Sequence, residues 1–229
     1  RSWKDGEAKL LAYLEDYALV ADGCLAVYEA TFDRRWLDEA RGLADEMIRL
    51  FWDERQEGFF DTGSDHEALV VRPRNLFDNA VPCGSSVAIE LLLRLAVLTG
   101  EEKYERLGLR ALRPMADLMN RYPTGLGRWL CALDFHLGPV SEVALIWPRG
   151  DGQPGHGPLI TEVFGRYLPN RVVAGSADGD SAASTGVPLL DARPAVQGKP
   201  TAYLCRRYVC QAPTTDPEAL ARQLDFRGA

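Results

Sequence analysis

TFDRRWLDEARGLADEM, residues 31–47, and TGEEKYERLGLRALRPM, residues 99–115, are the stretches whose likeness decides the fold. Thr31, Trp36, Leu43 and Met47 line up with Thr99, Tyr104, Ala111 and Met115 at a constant offset of about 68 residues, the size of a helical hairpin with its connection. In each copy an inner helix ends at Thr-Phe-Asp or Thr-Gly-Glu, and an outer helix begins beside an aromatic, Trp36 or Tyr104. Leu14, Ala18, Ala21, Leu25 and Tyr28 recur at helical spacing before the first copy, as Leu92, Leu95, Ala96 and Leu98 do before the second. A repeated hairpin cannot bury both of its faces alone, so it stacks on neighbours in a bundle, a solenoid or a closed toroid.

The texture changes after Pro139, which predicts a helical-hairpin domain over residues 1–138 and a small α/β domain over 139–229. EVALIW (142–147), RVVA (171–174), VPLL (187–190) and TAYLC (201–205) read as strands, and GPLITEVFGRYL (157–168) reads as a helix. The strand–helix–strand order of the first three predicts a parallel pair. Asp216 is placed to cap a last helix. The stretch 177–186, ADGDSAASTG, is small and polar and reads as a mobile connection.

The chain of 229 residues, 46% hydrophobic and 26% charged, is long enough for a real core. It has no apolar run of membrane-spanning length, which predicts no membrane association. Its net charge of −7, without a basic stripe, predicts no nucleic-acid partner. Five cysteines, an odd number, are scattered at 24, 83, 131, 205 and 210; they argue against a secreted disulfide framework and for a reducing, cytoplasmic setting. Cys205 and Cys210 lack a second ligand pair, so no metal is expected, and the glycines at 150, 152, 155 and 157 fit no phosphate-binding or dinucleotide fingerprint, so no cofactor is expected.

Residues 62–86, TGSDHEALVVRPRNLFDNAVPCGSS, gather charged groups between two helical regions. The DHEAL, RPRN and DNAVPCGS segments, with LEDYA (14–18), ALDFHLGP (132–139) and the 202–220 stretch, resemble in order the motifs of thioredoxin-domain-containing proteins related to spermatogenesis-associated protein 20 and the bacterial YyaL type. The resemblance covers nearly the whole chain. It implies the C-terminal portion of such a protein, holding part of an (α/α)6 toroid like those of sugar epimerases and six-hairpin glycosidases, followed by the α/β domain. A partial ring should expose apolar helix faces at its open edge, which predicts either self-association there or poor solubility.

Asp16 and Asp78 lie at the starts of inner helices, where they either cap those helices or serve as paired carboxylates for acid/base work on a sugar. His66, between Asp65 and Glu67, is either a solvated loop histidine or an acid/base group; the resemblance to epimerases implies the latter. Arg72 and Arg74 are either salt-bridged or anchors for a carboxylate, phosphate or sugar. Glu15, Tyr17 and Ser86 complete the candidate substrate contacts. Ser85 stands where the family has Asn, which removes one amide contact, and Cys83, at a helix start, is a candidate low-pKa thiol. Trp52, Phe59 and Phe60 are either core or a sugar platform. The resulting expectation is a carbohydrate-active or carbohydrate-binding domain; the alternative is a non-catalytic interaction module.

Overall fold

The computed structural model describes residues 2–68, 70–150, 157–207 and 209–225. The chain is mostly helical with a small mixed sheet, and it divides into two compact units. The first comprises the described residues of 1–26, 35–96 and 101–134; the second those of 27–34, 97–100 and 135–229.

The helices run α1 (Leu14–Thr31), α2 (Arg34–Phe51), α3 (Gly84–Thr99), α4 (Glu102–Leu112), α5 (Ala116–Arg121) and α6 (Gly127–Leu137). Two short hairpins accompany them, β1 (Ser2–Lys4) with β2 (Glu7–Lys9), and β3 (Trp52–Asp53) with β4 (Gly58–Phe59). In the first unit α3 is buried nearly all round, through Val87, Ala88, Ile89, Leu91, Leu92, Leu93 and Leu95, as befits an inner helix. Helix α2 buries one stripe, Leu37, Ala40, Ala44, Met47 and Leu50, and turns its charged residues outward. Polar pairs follow the same division. Asp22 of α1 takes Arg94 of α3 and Arg128 of α6, both at 3.1 Å, while Asp45 of α2 accepts from Tyr104 Oη of α4 at 2.8 Å.

The repeat is visible in the backbone. Helix α1 ends at Thr31 before Phe32 with φ 56°, and α3 ends at Thr99 before Gly100 with φ 70°, so both inner helices close on a left-handed residue. Phe32 tolerates there what glycine adopts freely. The aromatic pair does not behave alike: Tyr104 is fully buried, whereas Trp36 is 37% exposed. Buried Leu37, Ala40 and Ala44 instead match Tyr104, Leu107 and Ala111, one residue short of the repeat offset. A 3₁₀ turn, Arg113–Met115, follows α4, and Met47 and Met115, at the full repeat offset, are again both buried.

The second unit is built on a four-stranded sheet of β5 (Ser141–Trp147), β6 (Arg171–Ala177), β7 (Thr201–Arg206) and β8 (Val209–Cys210), in the order β6-β5-β7-β8. The first pair is parallel and the others antiparallel. Helix α7 (Pro158–Phe164) makes the crossover. With α9 (Pro217–Asp225) it covers a core of Val143, Leu145, Leu159, Val163, Val173, Ala202, Leu204, Leu220 and Leu224. Asp216 caps α9 as its position predicts, accepting from Glu218 N and Ala219 N at 3.1 and 3.2 Å.

Three expectations are corrected. Residues 188–190 form a 3₁₀ turn rather than a strand, because Pro188 opens it and Leu189 and Leu190 both turn inward. The stretch read as a mobile connection contains α8 (Ala182–Thr185), begun by a Ser181/Ser184 capping box and ended by Gly186 at φ 72°. The cysteines are not all free: Cys205 and Cys210 face each other across β7 and β8 and form a disulfide. Most of the glycine-rich loop, residues 151–156, lies outside the described residues.

Candidate functional site

The first unit brings the candidate residues to the end where α1, α3 and α6 begin. Gly84 permits the approach, since a Cβ there would stand 2.8 Å from Glu15 N and 2.9 Å from Leu14 Cγ. Asp78, on the connection before α3, joins that helix to α6. Its Oδ1 accepts from Cys83 N at 2.9 Å and Ser86 Oγ at 2.7 Å, and its Oδ2 accepts from Arg128 N at 2.8 Å. One carboxylate thus satisfies amides at two helix N-termini. Ser86 is fully buried, with the Cys83 carbonyl at 2.9 Å as a second acceptor within reach of its single hydroxyl proton, so Asp78 and Ser86 form an internal lock rather than an open ligand contact.

Asp16 occupies the third position of α1, where its Oδ2 accepts from Tyr13 N at 2.8 Å, the return bond of a capping box. His66 Nε2 lies 3.1 Å from the Ala12 carbonyl, which makes that nitrogen the donor, and its ring tilts against Tyr13 at 5.3 Å. Asp16 and His66 therefore both reach the chain just before α1. Glu15 is exposed beside them. Tyr17 packs edge-on to Phe51 at 5.4 Å, and burial, with Glu46 and Asp65 nearby, pushes its hydroxyl pKa up.

Both arginines stand over Phe60, with guanidinium carbons 4.1 Å (Arg72) and 4.3 Å (Arg74) from the ring centre. Arg72 donates to the carbonyls of Leu50 and Thr62, and burial lowers its pKa. Arg74 pairs with Asp53 at 2.5 Å. Trp52 and Phe59 meet edge to face at 5.1 Å across β3 and β4, with Phe59 buried. Cys83 is not the activated thiol its position allows, because burial pushes it up more strongly than its contacts with Ser86 pull it down. No group of three or more metal-ligating side chains occurs among the described residues.

Two features were missed in the sequence. Asp61 is half-buried beside the start of α1, its carbonyl accepting from Leu14 N at 2.9 Å. Burial, then the Glu15 carboxylate, raise its pKa against the pull of a hydrogen bond from Asn75 N. Nothing near Asp61 in sequence signals this, since its hydrogen-bond partners come from Leu14 and from residues 73–75. The second feature is a cavity of about 430 Å³ between β4, α3, α4, α5 and α6. Phe59, Ile89, Met115 and Trp129 give it an apolar floor; Arg74, Glu57, Asp117 and Ser85 are among its polar lining groups. Arg74 Nε and Ser85 Oγ are buried without hydrogen-bond partners.

The features so far define a mainly helical protein with a small mixed sheet and a ligand-sized cavity in its helical unit. No protein-family model matches the chain. Over 216 residues, 93% of the chain, it is 32% identical to spermatogenesis-associated protein 20 of Homo sapiens and to the Mus musculus protein of the same name. An uncharacterized protein of Caenorhabditis elegans is 25% identical over 215 residues. The chain is homologous to a portion of spermatogenesis-associated protein 20, and spans 27% of the length of the human and mouse relatives. Among the described residues, no helix is long and apolar enough to cross a membrane.

Proposed function

We propose that the helical unit is a carbohydrate-binding portion of a longer hairpin toroid, and that its ligand enters the cavity lined by Arg74 and Ser85. The cavity carries this reading. Its 430 Å³ falls within the span of about 300–1,000 Å³ typical of small-molecule sites. Its apolar floor and few polar groups suit a ring with hydroxyls on one side. Arg74, Glu57, Asp117 and Ser85 supply the polar residues of the lining. Binding is favoured over acid/base catalysis by Asp16 and Asp78 because each of these carboxylates already holds a helix start. The exposed Leu19, Val20 and Val27 of α1 fit an inner helix that further hairpins would cover.

A second reading keeps chemistry at the same end of the unit, with Asp61 as the general acid. It rests on the raised Asp61 carboxyl beside Glu15.

Thermal-shift titration with neutral sugars, uronic acids and sugar phosphates tests the binding reading. A ligand at ten times its Kd stabilises by about 1.4 kcal/mol, a rise of ~3–6 °C in a chain of this size. The Ser85→Ala variant, which loses no internal hydrogen bond, and the cavity-filling Ala111→Leu variant should fold and lose that rise. A rise that survives in both variants, or none with any sugar, refutes the cavity as the site. Turnover that is lost in Asp61→Asn but kept in Ser85→Ala would favour the second reading.

A further inference from the structure

The hairpin of β7 and β8 sets Cys205 against Cys210 at the edge of the sheet, and the two sulfurs differ in access. Cys205 is 1% exposed, whereas Cys210 lies on the exposed two-residue edge strand. One guanidinium nitrogen reaches both: Arg193 Nη2 lies 3.0 Å from Cys205 Sγ and 3.1 Å from Cys210 Sγ. Arg193 is held in place by donating to the Leu189 carbonyl and by lying over Tyr203, its guanidinium carbon 5.5 Å from the ring centre. Glu142 of β5, opposite Cys205 in the register, adds an opposing negative charge that also acts on Arg193.

A guanidinium contributes little to a neutral disulfide, but it stabilises the thiolate released when that bond is broken. We propose that Cys205–Cys210 is a thiol–disulfide exchange site for reductants of the dithiol class, in which Cys210 is the sulfur attacked and Arg193 holds the Cys205 thiolate that leaves. In the first step a reductant thiolate bonds to Cys210 Sγ, the Cys205–Cys210 bond breaks, and its electron pair stays on Cys205. In the second step the reductant's other thiolate attacks its own sulfur in the mixed disulfide, closing a ring and releasing Cys210 as a thiolate. Two electrons pass to the protein, the reductant becomes a cyclic disulfide, and the two thiolates take up protons according to pH. A leaving thiolate of lower basicity speeds the first step.

The test is reduction of the native full chain by dithiothreitol, with thiols alkylated at timed intervals and the peptides around 205 and 210 quantified by mass spectrometry. Three proteins are compared: wild type, Arg193→Gln and Arg193→Lys. Wild type should be reduced in the absence of denaturant, and Arg193→Gln about tenfold more slowly, with an equilibrium potential more reducing by about 30 mV, the equivalent of tenfold for two electrons. Arg193→Lys should fall between them. In a Cys205→Ser variant, glutathione disulfide should load Cys210. The proposal is overturned if wild type is reduced only in urea, or if rate and potential are the same in folded Arg193→Gln and wild type. Failure of Arg193→Gln to fold leaves the wild-type and Arg193→Lys arms to decide. Neither outcome depends on whether a sugar binds the helical unit.

Discussion

Replacing Asp78 by alanine should destabilise the helical unit by about 3–4 kcal/mol. The figure comes from the groups the carboxylate serves. The N–H of Cys83, at 2.9 Å, stands immediately before α3, and that of Arg128, at 2.8 Å, belongs to the first turn of α6. Losing a capping acceptor costs about 1 kcal/mol at each helix. Ser86 Oγ, fully buried, loses a 2.7 Å bond to a charged acceptor, worth about 1.5–3 kcal/mol and partly offset because its proton can turn to the Cys83 carbonyl at 2.9 Å. Asp78→Asn keeps one oxygen but turns an NH₂ group toward one of the donors, so it should lose about half as much.

Urea unfolding followed by helical circular dichroism gives the free energy, and amide hydrogen exchange at Cys83 and Arg128 reports the two helix starts directly. Both amides should exchange faster in the alanine variant. A carboxylate retained for chemistry alone behaves differently, since removing it leaves stability within about 0.5 kcal/mol or raises it. A loss below 1 kcal/mol with unchanged exchange at both amides would refute the lock and return Asp78 to the list of catalytic candidates.

Three further outcomes are expected. Gly175→Ala should destabilise the second unit by about 1–3 kcal/mol in urea unfolding, since its Cβ would stand 2.9 Å from Phe32 and Trp147 ring carbons; no loss would show that the aromatic pair moves aside freely. Asp216→Ala should cost about 1 kcal/mol and fray the start of α9, seen as faster exchange at Glu218 and Ala219. Asp61, whose folded pKa is raised, contributes stability that is fully present below its unfolded value near 3.8 and is lost as pH rises through the folded value. Asp61→Asn, which keeps an acceptor for Asn75 N, should therefore be more stable than wild type at neutral pH and lose that advantage toward pH 4; equal stability at both pH values would refute the burial of the charge.

The helices were legible because their signal is local and repeated. Leu14, Ala18, Ala21, Leu25 and Tyr28 share one spacing, and all five are buried. The strands at 142–147, 171–174 and 201–205 were legible from short β-branched and apolar runs; VPLL was not, because four apolar residues read alike as strand or turn until Pro188 is given its place. The cysteines misled because parity is a property of the whole chain, whereas pairing depends on two residues meeting across a hairpin. The cavity was invisible, since its walls come from residues 56 to 129 and no local pattern marks a gap between helices.

The candidate carboxylates call for a related caution. Where several inner helices begin together, their unsatisfied N–H groups and the positive ends of their dipoles attract acidic side chains, whatever the unit does. An acid before or just inside such a helix is therefore weak evidence for catalysis, and Asp16 and Asp78 have the capping bonds this argument requires. The more informative carboxylate is the one that caps nothing within its own segment and is pushed toward neutrality by burial. In this chain that describes Asp61, which accepts one backbone hydrogen bond from Asn75 and sits beside Glu15 at the start of α1.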